Sequence, residues 1–183
     1  MYKNLLKKIA FQLTKSNIPY MIIGGQAVLL YGEPRFTRDI DITLGVGTDE
    51  SHKIKQIITN LNLTVKVKNY KRFAEKTMVI PALDKKTGIG VDFVFSYTGY
   101  ERQAIKKAKD VKFGKTNIKI ASLEDVIIHK IIAGRPRDIE DVRVILIKNP
   151  NYDSKYINRW LKDFDIALNK NLKNTFQNIV EQL

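Results

Sequence analysis

The chain has 183 residues, with 32 Lys and Arg against 19 Asp and Glu, a formal net charge of +13 and a pI near 9.8. Zero cysteines exclude disulfides, thiolate metal sites and a cysteine nucleophile, and two histidines, His52 and His129, leave oxygen atoms as the metal ligands to consider. A hydrophobic content of 44% supports a packed core, and apolar runs such as Tyr20-Met21-Ile22-Ile23 are too short to span a membrane, so a cytoplasmic protein with no membrane partner is expected.

Residues 1–17 place Leu5, Leu6, Ile9, Ala10 and Leu13 at helical spacing among lysines, which predicts an amphipathic helix with a basic outer face. Pro19 stops it, and residues 20–23 read as a buried strand ended by Gly24-Gly25. A short helical pattern from Ala27 runs to Gly32 and Pro34. Residues 36–44 alternate, with Ile40, Ile42 and Leu44 on one face and Asp39, Asp41 and Thr43 on the other, the period of a half-buried strand. Thr48 is the expected N-cap of a helix through Ile54, Ile57 and Ile58. Residues 78–83 and 91–95 form a predicted hairpin around residues 84–88, a helix follows at 102–108, and Gly114 centres a second small hairpin. Ser122 opens a helix by a capping pattern, and residues 126–183 read as helix broken by Gly134-Arg135-Pro136 and Asn149-Pro150-Asn151. Strands followed by helices predict an α+β fold, with an α/β core over 1–121 and a helical subdomain over 122–183 packed on it.

The carboxylates carry the chemistry. Asp39 and Asp41 sit at alternate positions of a strand, so they share a face with their Cα atoms roughly 6.7 Å apart. Their repulsion is relieved by a divalent cation, and Mg²⁺ uses such oxygen ligands together with substrate phosphates. Asp92 repeats the pattern among apolar neighbours. If its strand lies beside the first, the three carboxylates converge and suffice for two ions about 3.5–4 Å apart. Acid–apolar alternation is also how an ordinary half-exposed strand looks. Likewise Gly24-Gly25 admits a phosphate close to the backbone, yet a glycine pair at a strand end is usually only a turn. Neither Gly-x-Gly-x-x-Gly nor Gly-x-x-x-x-Gly-Lys-Ser/Thr is present, which excludes a P-loop. Ser122 is an N-cap rather than a nucleophile, His129 a packed helix residue, His52 a surface residue and Trp160 a core residue with Ile157 and Leu161.

Taken together, Gly24-Gly25, thirteen residues, Asp39-Ile40-Asp41-Ile42 and a later strand aspartate, Asp92, resemble the signature of the DNA polymerase β-like nucleotidyltransferase superfamily. The stretch from Ile22 to Ile42, with Arg35 and Thr37, and the downstream Leu123-Glu124-Asp125, Lys130, Ala133, Arg135, Arg137-Asp138 and Asp141 look like the small bacterial AbiEii-like branch of abortive-infection and toxin–antitoxin systems. The resemblance implies a mixed β-sheet flanked by helices and transfer of an NMP from an NTP to a hydroxyl with release of pyrophosphate. It assigns Asp39, Asp41 and Asp92 to two Mg²⁺ ions, with Mn²⁺ as a substitute, and gives Asp92 a second role as base. Gly24 and Gly25 would cradle phosphates, Arg35 and Thr37 would face the nucleotide, and Lys130 and Arg137 would neutralise triphosphate charge or orient the acceptor. Many relatives carry Gly-Ser where this chain has Gly24-Gly25, so the backbone must make that contact. The implied partners are NTP, an RNA acceptor such as tRNA, and a cognate antitoxin protein.

Residues 53–76 favour RNA: they hold seven Lys or Arg, with Glu75 the sole acid and Tyr70 and Phe73 interleaved. Solvated lysines of a lysine-rich chain would look the same. Two other expectations compete, a small-molecule acceptor of the aminoglycoside or lincosamide type and a catalytically silent nucleotide- or RNA-binding module.

Overall fold

The computed structural model describes residues 2–34, 37, 39–96, 98–114 and 116–183. They form two compact units, one of residues 1–26 and 36–121, the other of 27–35 and 122–183.

The first unit is built on a seven-stranded mixed sheet. Its elements are α1 (Tyr2–Lys15), β1 (Tyr20–Ile23), the start of α2 (Gly24–Tyr31), β2 (Asp39–Leu44), a 3₁₀ turn (Thr48–Glu50), α3 (Ser51–Asn60), β3 (Thr64–Val65), α4 (Tyr70–Thr77), β4 (Val79–Asp84), β5 (Ile89–Phe95), α5 (Gly99–Lys107), β6 (Lys109–Phe113) and β7 (Thr116–Ile120). The strands lie in the order β3-β4-β5-β2-β1-β7-β6. β2 runs parallel to β5 and antiparallel to β1, which is parallel to β7. This is the α+β architecture that the sequence predicts.

The register lays successive rungs across four strands. Ile22, Ile42, Phe93 and Ile80 are cross-strand partners, and all are 1% exposed or less. The next rung carries Ile23, Asp41, Asp92 and Pro81. Because side chains alternate along a strand, the first rung faces the core and the second the opposite side of the sheet. That opposite side is closed at one end by Thr43 and Met21, both buried, and opens toward Asp39, which is exposed. Burial of the apolar face therefore fixes where the acids point: slipping β2 by one residue would bury two carboxylates.

Local capping explains several boundaries. α5 begins at a capping box in which Thr98 Oγ1 accepts from Tyr100 N–H and the Glu101 carboxylate accepts from Thr98 N–H at 2.8 Å, a signal that moves the helix start three residues ahead of the predicted 102. α4, which the sequence reading treats only as a basic stretch, is capped by Asn69 and ended by Met78 in the left-handed region at φ 59°. Thr48 is not the cap of α3. It opens the 3₁₀ turn, and Glu50 precedes α3 without a side-chain cap.

The second unit gathers residues 27–35 with α6 (Leu123–Ala133), α7 (Pro136–Lys148), α8 (Ser154–Leu168) and α9 (Leu172–Glu181). Asn149 Nδ2 donates to Tyr31 O at 2.8 Å and Lys148 Nζ to Gly32 O at 3.2 Å, which ties the early segment to the end of α7. α6 is the central helix, buried at Val126, Ile127, Ile128 and Ile131. Ser122 caps it, accepting from Asp125 N–H, and its hydroxyl donates to the Asp125 carboxylate at 2.6 Å. The fully buried Asp125 also accepts from Tyr156 Oη at 2.9 Å. Ile157 and Leu161 are core residues as predicted, whereas Trp160 is only half-buried, with Arg159 stacked 5.5 Å from its ring centroid. No helix among the described residues is long and apolar enough to cross a membrane.

Candidate active site

Asp41 and Asp92 are direct register partners on the parallel strands β2 and β5, and Asp39 lies two residues before Asp41 on the same face. The adjacency that the two-strand proposal requires is thus present. Asp92 is half-buried, and its carboxyl is pushed above the ordinary range, first by burial and then by the charge of Asp39, with Lys66 acting in the opposite sense.

Two glycines make room for these acids. A Cβ on Gly24 would stand 1.9 Å from Asp41 Oδ2, and one on Gly90 would stand 2.1 Å from Asp39 Oδ1. Gly24 also has φ +65°, where a side chain is strained whatever the space. The expected glycine turn is in fact the first turn of α2, which starts directly after Ile23. The carboxylate of Asp41 therefore packs on the N-terminal turn of a helix, an end that favours anions. Gly24→Ala is expected to displace Asp41 and to cost about 1–3 kcal/mol from the backbone conformation, read as a lower midpoint in urea unfolding. Gly25, one position on, is buried.

Convergence of the three carboxylates is a different matter. Among the described residues, no three His, Asp or Glu side chains are grouped closely enough to hold a metal ion. Asp39 lies over Gly90 while Asp41 lies against Gly24. In chemistry the donor set, carboxylates on neighbouring positions of one face, suits a hard divalent cation.

Thr37 is half-buried, its hydroxyl accepting from Gln26 Nε2 at 2.6 Å and its carbonyl from the Tyr2 hydroxyl. Burial and then the charge of Asp39 raise the Tyr2 phenol, while its bond to Thr37 works against them. Arg35 lies outside the described residues. Lys130 and Arg137 belong to the helical unit. Arg137 is exposed at the start of α7, but Lys130 is not a free cation. It is 5% exposed, and its ammonium donates to Asp138 at 2.5 Å and pairs with Asp141 at 2.9 Å. The charge expected to meet triphosphate is already matched by two buried carboxylates, and it fastens α6 to α7.

Sequence reasoning passed over Gly90 and Lys66. A glycine inside a strand marks a close approach and was the available signal for the first. Lys66 was one lysine in a basic run. The structure singles it out because its N–H donates to Pro81 O at 2.9 Å, and Pro81 is the register partner of Asp92.

The face bearing Asp39, Asp41 and Asp92 beside the start of α2 belongs to a fold of the nucleotidyltransferase type. The chain belongs to the family described as "Nucleotidyltransferase of unknown function (DUF6036)", whose model matches residues 3–180, and is accordingly a transferase. No curated protein matches the sequence. Among solved structures it is similar to the antibiotic-resistance factor ANT(2'')-Ia, at 16% identity and TM-score 0.64 over 92% of this chain and 95% of that one. It is also similar to an antigenic nucleotidyltransferase-like protein from Paracoccidioides brasiliensis, at 18% identity and TM-score 0.56 over 90% and 87%. A third likeness is to the lincosamide antibiotic adenylyltransferase LnuA in its lincomycin-bound form, at 14% identity and TM-score 0.55 over 78% and 94%. At these identities the likeness is one of fold. The superfamily expected from the sequence is thereby supported, while the AbiEii-like branch is not singled out.

Proposed function

We propose that the chain transfers an NMP from an NTP to a hydroxyl of an RNA acceptor, tRNA foremost, with release of pyrophosphate. The observation that carries this reading is the register of Asp41 against Asp92, with Asp41 seated on Gly24 at the start of α2. In the transfer, the acceptor oxygen forms a bond to the α-phosphorus as the bond to the β-phosphate bridging oxygen breaks, so positioning and charge neutralisation dominate the catalysis. Asp39, Asp41 and Asp92 would hold Mg²⁺, or Mn²⁺ in its place, which supplies neutralisation of triphosphate charge. Asp92, raised by burial and by Asp39, is suited to accept the proton of the attacking hydroxyl. The first N–H groups of α2 would receive phosphate oxygens, the contact that Gly25 in place of Ser leaves to the backbone. Thr37, held by Gln26, lines the approach to Asp39, and Arg35 and Arg137 remain candidates for phosphate contacts.

A role as the toxin of a toxin–antitoxin pair in the cytoplasm rests on the downstream block around Lys130, Arg137 and Asp141 and is part of the same proposal. The folds of ANT(2'')-Ia and LnuA favour a small-molecule acceptor as the second reading, which the charge of +13 disfavours for a cationic aminoglycoside. Incubation with Mg²⁺, each α-labelled NTP and total tRNA separates them. Label on tRNA is the expected result, label only on an added aminoglycoside or lincosamide supports the second reading, and NTP binding without transfer leaves a silent module.

A further inference from the structure

Two adjoining clefts lie along the β3 edge of the sheet. One, of about 520 Å³, runs between the end of α3 and β3, with Lys55, Lys68 and Tyr70 in its wall. The other, of about 300 Å³, lies against α4, with Arg72, Phe73 and Lys76 in its wall. They share Val67 and Lys68, and no Asp or Glu is among the described residues that line either one. Arg72 and Lys76 stand one helical turn apart on α4, so both project to one side; Lys68, Arg72 and Lys76 are exposed and Lys55 is partly buried.

Lys66 links this basic strip, along the chain, to the row of Asp92. Lys66, two residues from Lys68, bonds to Pro81 O, and Pro81 faces Asp92 across β4 and β5. Two strand spacings separate the Lys66 backbone from β5, roughly 10 Å.

We infer that these clefts bind the sugar–phosphate backbone of a single-stranded RNA whose reacting hydroxyl is presented at Asp92, an inference that rests on the carboxylate face being the transfer site. Charge selects the occupant. Four cations without a lining acid attract a polyanion and repel a cationic antibiotic. The apolar and aromatic floor of Val67, Tyr70 and Phe73 offers bases a stacking surface that lysines alone would not.

The test is fluorescence anisotropy of a fluorescein-labelled single-stranded RNA oligonucleotide with the full chain, without NTP, across a series of salt concentrations. Four phosphate contacts predict a slope of log K against log salt of about −3. The triple variant Lys68→Gln, Arg72→Gln, Lys76→Gln is expected to bind at least about tenfold more weakly with a slope shallower by about 2. Tyr70→Ala is expected to weaken binding several-fold with the slope unchanged. A control variant, Lys85→Gln, Lys86→Gln, Lys106→Gln, removes the same charge from exposed positions elsewhere and is expected to bind as wild type does. Equal loss in the control, or polyglutamate bound as tightly as RNA through the same residues, would overturn the inference in favour of a diffuse field or an acidic protein partner. Failure of NMP transfer by a wild-type chain that binds RNA with the expected slope would refute the proposed function and leave the RNA cleft standing.

Discussion

Asp41→Asn is expected to lower NMP transfer by at least about 10²–10³-fold while leaving the fold intact. The substitution keeps size and shape, so the packing against Gly24 survives, but it removes the charge that the proposed mechanism sets toward the nucleotide phosphates. The adjacent Asp92 provides an internal check. The charge that helps raise its carboxyl is that of Asp39, so it is Asp39→Asn that is expected to shift the apparent ionisation of Asp92 downward. Transfer measured with saturating Mg²⁺ and NTP distinguishes this from weakened binding alone, because loss of a contact made in the transition state lowers kcat and kcat/KM together. Unchanged turnover by Asp41→Asn would move the chemistry away from this face of the sheet.

Lys130→Ala is expected to have the largest effect on stability, about 3–5 kcal/mol, because it leaves Asp138 and Asp141 buried without their shared cation. Urea unfolding of the variant reads that loss as a lower midpoint. A second readout follows from Asp138 itself. Burial works to raise its carboxyl, but hydrogen bonds and charge from Arg135 and Lys130 hold it below the ordinary range. A depressed carboxylate contributes stability that is present above its unfolded pKa and is lost as pH falls through its folded pKa. The wild type is therefore expected to lose stability between about pH 5 and the depressed pKa of Asp138, and Asp138→Asn should flatten that acid limb. A variant at Lys130 that lost transfer without losing stability would contradict the structural role and return this lysine to the nucleotide.

Much of the site was legible in the sequence because two periodicities coincide there. The alternation at 39–44 reads as a strand, and burial of Ile40, Ile42 and Leu44 then fixes the face of Asp39 and Asp41. The apolar frame around Asp92 did the same for β5. What could not be read was pairing between distant segments: that β2 and β5 are neighbours, that the short β3 carries Lys66 to the row of Asp92, and that Gly24 fills the space beside Asp41. α4 was missed because five of its eight residues are Tyr, Lys, Arg, Glu and Lys, which give a polar stretch its helical face only through the buried Ala74 and half-buried Phe73. The ion pairs of Lys130 were hidden in the sequence for a related reason. A lysine on an apolar helix looks like a functional cation until α7 is seen to bring two aspartates to it.

The most direct measurement is the stoichiometry of transfer by the wild-type chain: pyrophosphate released per NMP bound to RNA, in the presence of Mg²⁺ and a single NTP. One pyrophosphate per nucleotide incorporated, with both absent from Asp41→Asn, is the predicted result. Orthophosphate in place of pyrophosphate, or incorporation that persists in Asp41→Asn, would contradict the assignment of this carboxylate face to nucleotidyl transfer.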